Sequence, residues 1–310
     1  MRFAKLHGYG NDYIVCTAAE FAAAAASDEA AFVRRVCDRH YGAGADGVAT
    51  VEPLTDAAAA SPATGGATAL PSSSSSTATD GAADFRLRIF NPDGSEAAMS
   101  GNGSRAAAAF LHHEGLWARA ALRFATRAGV KLYRLIEADG RGRYRFAAEI
   151  GRPRFEPANI PLQLDEELPR VVNYPLDLGD GERVSVTALE MCNPNCCVLV
   201  ADFEAVDWRR WGRIIESHPR FPARTNVEFI RAVDRTQIEA RVWERGVGET
   251  LSSGTGACAA AVAACVNDLT DRRVAVQMPG GRLEVEWRAD GEVVLTGAAQ
   301  VVYRGEWLQA

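Results

Sequence analysis

Polar and apolar positions change period several times along the chain. Phe3 and Leu6 lead into a glycine turn, Gly8-Tyr9-Gly10-Asn11-Asp12. Tyr13-Ile14-Val15 then resume an apolar run, which predicts a strand, a turn and a strand over residues 1–18. From Asp28 the pattern becomes helical: Asp28 takes the N-cap position and Ala31, Phe32 and Val36 form one apolar stripe over 28–40. Gly42-Ala43-Gly44-Ala45-Asp46-Gly47 reads as a loop. Phe85-Arg86-Leu87-Arg88-Ile89-Phe90 alternates as a half-buried strand does. A glycine loop and an alanine-rich helix over about 104–113 follow, then strands at 121–127, 130–137 and 143–150. Gly151-Arg152-Pro153 reads as a hinge. Beyond it the theme returns: strands near 184–190 and 197–201, a helix after Trp208, strands at 226–231 and 237–243, a second glycine loop, and an alanine-rich helix over about 256–266. Arg282 to Trp307 is mostly strand. The expected class is α+β.

Residues 56–84 interrupt this alternation with Ala, Ser, Thr, Gly and Pro, including five consecutive serines at 72–76. Such a composition buries too little apolar surface to offset its ordering entropy, so a disordered surface insertion between two strands is expected. The rest of the 310 residues, with 47% hydrophobic residues overall, is enough for two domains. A net charge of −6 without a basic run gives no support to nucleic-acid binding. No apolar run of 18 residues is present and the first residues do not form a signal peptide, so no membrane contact is expected and a soluble cytoplasmic location is. Seven cysteines in such a chain are expected to be reduced. Their spacing is not that of metal ligands, and no metal site is expected.

The two glycine loops match each other. Ser100-Gly101-Asn102-Gly103-Ser104-Arg105-Ala106-Ala107-Ala108 and Ser253-Gly254-Thr255-Gly256-Ala257-Cys258-Ala259-Ala260-Ala261 share the pattern S-G-polar-G-x-x-A-A-A. Nine residues upstream of each stands a glycine turn, Asn91-Pro92-Asp93-Gly94 and Glu244-Arg245-Gly246. A Gly-x-Gly loop entering a helix presents unpaired N–H groups at the positive end of the helix dipole, a cradle for an anion such as a carboxylate. Taken singly, each loop is an ordinary turn before a buried helix. The duplication with matched upstream turns favours two cradles flanking one ligand, with Ser100 and Ser253 facing it.

The chain resembles the diaminopimelate epimerase family. The resemblance lies in seven ordered blocks: His7-Gly8-Tyr9-Gly10-Asn11-Asp12-Tyr13, Gly42 to Gly47, Phe90-Asn91-Pro92-Asp93-Gly94-Ser95-Glu96, Gly101-Asn102-Gly103-Ser104-Arg105, Asn193-Pro194, Phe221-Pro222 to Thr225-Asn226-Val227-Glu228-Phe229, and Glu244 to Thr250. It implies two pseudo-symmetric α+β domains, each a curved sheet wrapped round a central helix. The domains would be 1–149 with a returning strand at 298–310, and 150–297. It implies epimerisation of LL- and meso-diaminopimelate, a precursor of lysine and peptidoglycan, by two-base transfer of the α-proton with no cofactor. A small amino acid would be the partner, and a homodimer the assembly. By the same resemblance Asn11, Asn91, Asn193, Asn226, Glu244 and Arg245 would hold the polar ends of the substrate. The N–H groups of Gly101, Asn102, Gly254 and Thr255 would take its α-carboxylate. An arginine suits a distal carboxylate through paired hydrogen bonds. Asn91 and Asn193, each before proline, are also ordinary turn residues.

Three positions depart from the family pattern. Ser100 and Ser253 stand where it carries its catalytic cysteines, and Asn195 where it carries histidine after Asn-Pro. A thiol titrates near 8.5 and a helix N-terminus brings it towards neutrality; a serine hydroxyl is several units weaker and needs an adjacent base. Glu244 is the candidate base. Cys192 and Cys258 lie close in sequence to the site and read as structural. The serine pair fits a branch with altered or weakened chemistry, a deliberate inactivating replacement, or a non-catalytic amino-acid-binding relative. A proline or hydroxyproline racemase-like enzyme is a further alternative.

Overall fold

A computed structural model describes residues 1–54 and 82–308. The expected disordered insertion, 56–84, lies outside the described residues except for its last three positions. The chain divides into two units. One comprises Met1–Gly8, Asp12–Phe146 and Ala299–Ala310; the other comprises Tyr9–Asn11 and Ala147–Ala298.

In the first unit the order is β1 (Arg2–Gly8), β2 (Asn11–Thr17), α1 (Ala18–Ala25), α2 (Glu29–Cys37), β3 (Val48–Pro53), β4 (Phe85–Phe90), β5 (Glu96–Ala97), α3 (Gly101–His113), β6 (Ala121–Thr126), β7 (Gly129–Ala138) and β8 (Arg143–Gly151), the last running on into the second unit. There β9 (Val171–Gly179), β10 (Glu182–Glu190), β11 (Pro194–Leu199), α4 (Trp208–Glu216), β12 (Asn226–Asp234), β13 (Gln237–Glu244), β14 (Gly248–Thr250), α5 (Gly254–Val266), β15 (Arg273–Met278), β16 (Gly281–Trp287) and β17 (Val293–Glu306) follow. The unit boundary falls inside β8, so Gly151, expected as a hinge, is instead the last residue of a strand.

The repeat seen around the glycine loops extends to the strand pairing. Strand β2 pairs parallel with β3, β3 antiparallel with β4, β4 antiparallel with the short β5 and parallel with β6, and β6 antiparallel with β7. In the other unit β11, β12, β13, β14, β15 and β16 repeat that scheme in the same order and senses. Each unit is thus a sheet wrapped round one helix. Helix α3 packs on β1, β3 and β4, and buries every residue from Asn102 to Leu111. Helix α5 packs on β10 to β13, β15 and β16, and buries every residue from Gly256 to Ala264. Alanine explains how a helix can be buried on all sides. Its methyl group lets strands approach from every direction, and it has the highest helix propensity.

Two local devices set the start of β2. Asp12 accepts ion pairs from Lys5 at 2.7 Å and Arg39 at 2.9 Å. Burial alone would raise its carboxyl, but the bonds from Arg39 and Lys5 outweigh that and hold it at about 2. The ring of Tyr13 then lies against two glycines: a Cβ on Gly47 would meet it at 2.8 Å and one on Gly103 at 3.0 Å. No residue with a side chain fits at either place without moving the ring.

His112, in the last turn of α3, is not the cation that suits a helix C-terminus. His112 stacks on Phe146 at 5.7 Å and Tyr144 at 6.3 Å, and burial pushes its imidazole down to about 4. It is held neutral. The unfolded chain takes up this proton near 6.5 and the fold only near 4, so stability is lost as pH falls through that window. The loss is no more than about 3 kcal/mol. A His112→Phe variant should lose less stability than the parent between pH 7 and pH 4.5 when urea midpoints are compared. A constant gap between the two proteins across this range would show that His112 takes up its proton freely in the fold.

Candidate active site

Ser100 and Ser253 are the N-cap residues of α3 and α5. Both have extended backbones, and each side chain accepts the N–H three residues on, from Gly103 at 3.2 Å and from Gly256 at 3.3 Å. The Gly-x-Gly segment is therefore the first turn of each helix, not a loop ahead of it, and the helices begin earlier than the expected 104 and 256. The cap serine satisfies one first-turn N–H. The N–H groups of Gly101 and Asn102, and of Gly254 and Thr255, have no acceptor within their helices because helical geometry provides none there. These are the four groups that the family resemblance assigns to a carboxylate.

Several of the expected residues gather around Ser253. Glu244, at the end of β13, lies beside Ser253; burial raises its carboxyl above the usual range, and the neighbouring Ser253 hydroxyl lowers it by less. Asn226 accepts the backbone N–H of Arg245 at 2.9 Å. Asn193 Nδ2 reaches Thr255 Oγ1 at 3.5 Å. Asn195, fully buried, joins the two asparagines: its Nδ2 donates to Asn193 O at 2.6 Å and its Oδ1 accepts from Asn226 at 3.5 Å. Where the family pattern carries histidine, this chain thus has an amide that orders its neighbours. The Arg245 side chain is exposed and donates to Ala223 O at 3.0 Å. Asn11, although in the first turn of the sequence, belongs to this same unit. Its neighbour Tyr9 accepts the Ala298 N–H through its hydroxyl at 2.8 Å.

Around Ser100 the picture is sparser. Tyr13 Oη lies 2.8 Å from Ser100 Oγ. Asn102 is buried and accepts from Arg105, itself almost wholly buried. The Arg105 Nη1 atom lies 3.6 Å from where Gly101 would carry a Cβ, a fixed cation beside the α3 cradle. Asn91 is exposed and its amide donates to Ser95 Oγ at 3.0 Å within its own turn, the ordinary use of Asn before Pro.

Sequence reasoning missed Tyr13, Arg105 and Glu228 as parts of these surroundings. Arg105 carried a signal, a charge beginning an alanine run. Tyr13 and Glu228 fall within the blocks that resemble the family, but each stands at an ordinary strand position where periodicity gives no sign of a role. Glu228 is fully buried on β12. Its Oε2 accepts the Cys197 thiol at 3.6 Å, and its Oε1 lies 3.1 Å from where Gly256 would carry a Cβ. Burial, with the nearby Glu244, drives this carboxyl well above the usual range, so it is the neutral acid of the pair. Burial also pushes the Cys196 and Cys197 thiols up, and Cys258 is fully buried in α5. Neither Cys196 nor Cys197 is a ready thiolate. Cys192 is exposed, with its thiol directed to Ile150 O at 3.4 Å. Among the described residues no cluster of three or more His, Cys, Asp or Glu is placed to hold a metal ion.

A carboxyl whose ionisation is displaced by burial, beside a hydroxyl at a helix N-terminus, is a candidate acid–base centre. It stands in an α+β scaffold with a duplicated helix cradle. A family profile described as diaminopimelate epimerase matches residues 3–155 and 187–302. The diaminopimelate epimerase of Desulforudis audaxviator is 41% identical over 312 residues, covering all of both chains, and that of Pelotomaculum thermopropionicum is 40% identical over 307 residues and 99% of each. The chain belongs to the diaminopimelate epimerase family, and it is an isomerase. Solved structures share the fold at lower identity. A predicted epimerase from Pseudomonas aeruginosa superposes with a TM-score of 0.66 at 18% identity over 100% of this chain and 99% of that one. A hydroxyproline epimerase from Agrobacterium vitis does so at 0.62 and 14%, over 98% and 91%.

The neutral state of Glu228 has a measurable consequence. The unfolded carboxyl ionises near 4.5 while the folded one keeps its proton, so this group costs stability as pH rises above that value. Glu228→Gln keeps the shape without the titration. It should melt above the parent at pH 8, with the gap closing at pH 4. A variant that melts lower at both pH values would mean that the parent carboxyl is ionised and paired.

Proposed function

We propose that this chain interconverts LL- and meso-diaminopimelate, with Ser253 and Glu244 forming one acid–base group and Ser100 belonging to the other. The observation that carries the reading is a carboxyl raised by burial, Glu244, beside the serine that caps α5. A serine hydroxyl alone is too weak an acid–base group for an α-proton, and a partner raised towards neutrality is what it needs. Identity near 40% over full length to relatives named diaminopimelate epimerase supports the substrate. The first-turn N–H groups of Gly101, Asn102, Gly254 and Thr255 suit its α-carboxylate. Asn11, Asn91, Asn193, Asn226 and Arg245 are the candidates for its ammonium and distal groups, Asn91 with its amide released from Ser95. Inversion needs one group to take a proton and another to return one, and each unit supplies one capped helix. The reading carries with it a cytoplasmic enzyme of lysine and peptidoglycan precursor supply, acting as a homodimer. No helix among the described residues is long and apolar enough to cross a membrane.

Proton NMR of LL- and meso-diaminopimelate in heavy water tests this. The protein should remove the α-proton signal and interconvert the isomers. Glu244→Gln should slow interconversion by about 10²-fold or more. A Ser100→Cys/Ser253→Cys variant should run faster than the parent, because a thiol needs no partner to ionise near neutrality. If the parent binds diaminopimelate without exchanging its α-proton while the double-cysteine form exchanges it, the chain is a binding relative and the epimerase reading fails. Exchange with 4-hydroxyproline but not with diaminopimelate would reassign the substrate.

A further inference from the structure

The two cap serines are wired differently. A hydroxyl has one proton to give and two lone pairs to accept with. Ser253 accepts from Gly256 N–H at 3.3 Å and lies beside the Glu244 carboxyl, which can take its proton. Once that proton passes to Glu244, Ser253 Oγ can take another. Ser100 also accepts from the helix, at Gly103 N–H, but its second partner is a phenol. A phenol oxygen shares its lone pairs with the ring, so it donates better than it accepts, and it is a stronger acid than an alkyl hydroxyl. With Tyr13 donating, both lone pairs of Ser100 are filled and its single proton is left to point away from the helix. The ring that delivers the phenol has little freedom to turn aside, being seated against Gly47 and Gly103.

We propose that Tyr13 is the proton relay behind Ser100, so that the two serines work in opposite senses: Ser253 with Glu244 takes the α-proton, and Ser100 with Tyr13 returns one. This rests on the epimerase reading above. In the forward step the Cα–H bond breaks and its electron pair stays on the α-carbon. The proton passes to Ser253 Oγ as the Ser253 proton passes to the Glu244 carboxylate. The carbon pair then takes the Ser100 proton as the Tyr13 O–H proton moves to Ser100 Oγ, leaving a phenolate. Nothing is oxidised or reduced. The reverse reaction begins from that phenolate, and exchange of one proton with water resets the pair. Tyr13 acts through Ser100 and touches no substrate atom.

The test separates exchange from inversion. In heavy water, Tyr13→Phe should still let one diaminopimelate isomer exchange its α-proton, because Ser253 and Glu244 remove it and return a deuteron to the same face. Inversion should fall by about 10²-fold, and the other isomer should neither exchange nor invert. Glu244→Gln should give the mirror result, with exchange confined to the opposite isomer. Loss of packing alone would lower exchange of both isomers together, and that outcome for a folded Tyr13→Phe protein overturns the proposal, as does inversion at the parent rate. A parent protein that inverts neither isomer overturns the epimerase reading itself and the relay with it. Should Tyr13→Phe fail to fold, 3-fluorotyrosine at position 13 keeps the hydroxyl and makes it more acidic. The pH profile of inversion should then move to lower pH, and an unmoved profile overturns the relay.

Discussion

The N–H groups at the start of two buried helices are the constraint from which the rest of this structure follows. The first turns are only partly exposed while the helices behind them are buried, and an unpaired N–H in such a place is costly. Serine at the cap answers one of these groups in α3 and one in α5, at matched distances. What remains is a pair of donors at each helix start, fixed in place before any ligand arrives. An anion that fills them replaces hydrogen bonds the fold cannot make for itself. The glycines of the first turn leave the backbone bare at that point, and the alanines behind them let strands close round the helix.

The same burial sorts the acids near α5. Glu228 and Glu244 both point towards the first turn of one helix, and two carboxylates there would repel each other in a medium that screens poorly. The deeper one, Glu228, keeps its proton and the shallower one lies beside the serine. Environment thereby assigns two residues of one type to two states. Beside α3 the buried group is instead a guanidinium, Arg105.

Much of this was legible in the residues. The duplicated S-G-polar-G pattern located both glycine turns and the buried helices behind them, and the matched upstream turns picked out Glu244 nine residues before Ser253. The alternation at Phe85–Phe90 and the stripe from Asp28 gave β4 and α2 nearly to the residue. Where reading failed, the reason was local. The run Ala22 to Ala26 has no amphipathic stripe, so α1 showed no helical period, and its cap from Thr17 Oγ1 to Glu20 N–H is visible only in three dimensions. The helix starts were placed late because glycine favours loops, whereas here close packing on Tyr13 and beside Glu228 requires it inside the first turn. Tyr13, Arg105 and Glu228 were missed because pairing across a fold leaves no periodic trace. Asn91 was legible as a turn residue and as a ligand-holding one, and pattern alone does not choose.

Strand β1 pairs along its length with the end of β17, Arg2 opposite Glu306, and the amino group of Met1 donates to Trp307 O at 3.0 Å. The first unit therefore cannot close on itself until nearly three hundred later residues have been made. While the chain is being synthesised, β1 waits with an open edge, and the alanine-rich α3 lacks part of its cover. The second unit waits in turn on three residues made at the outset, Tyr9–Asn11. Such reciprocal dependence raises the contact order and couples the two halves into one folding event. Neither half is a module that evolution could trim or exchange alone.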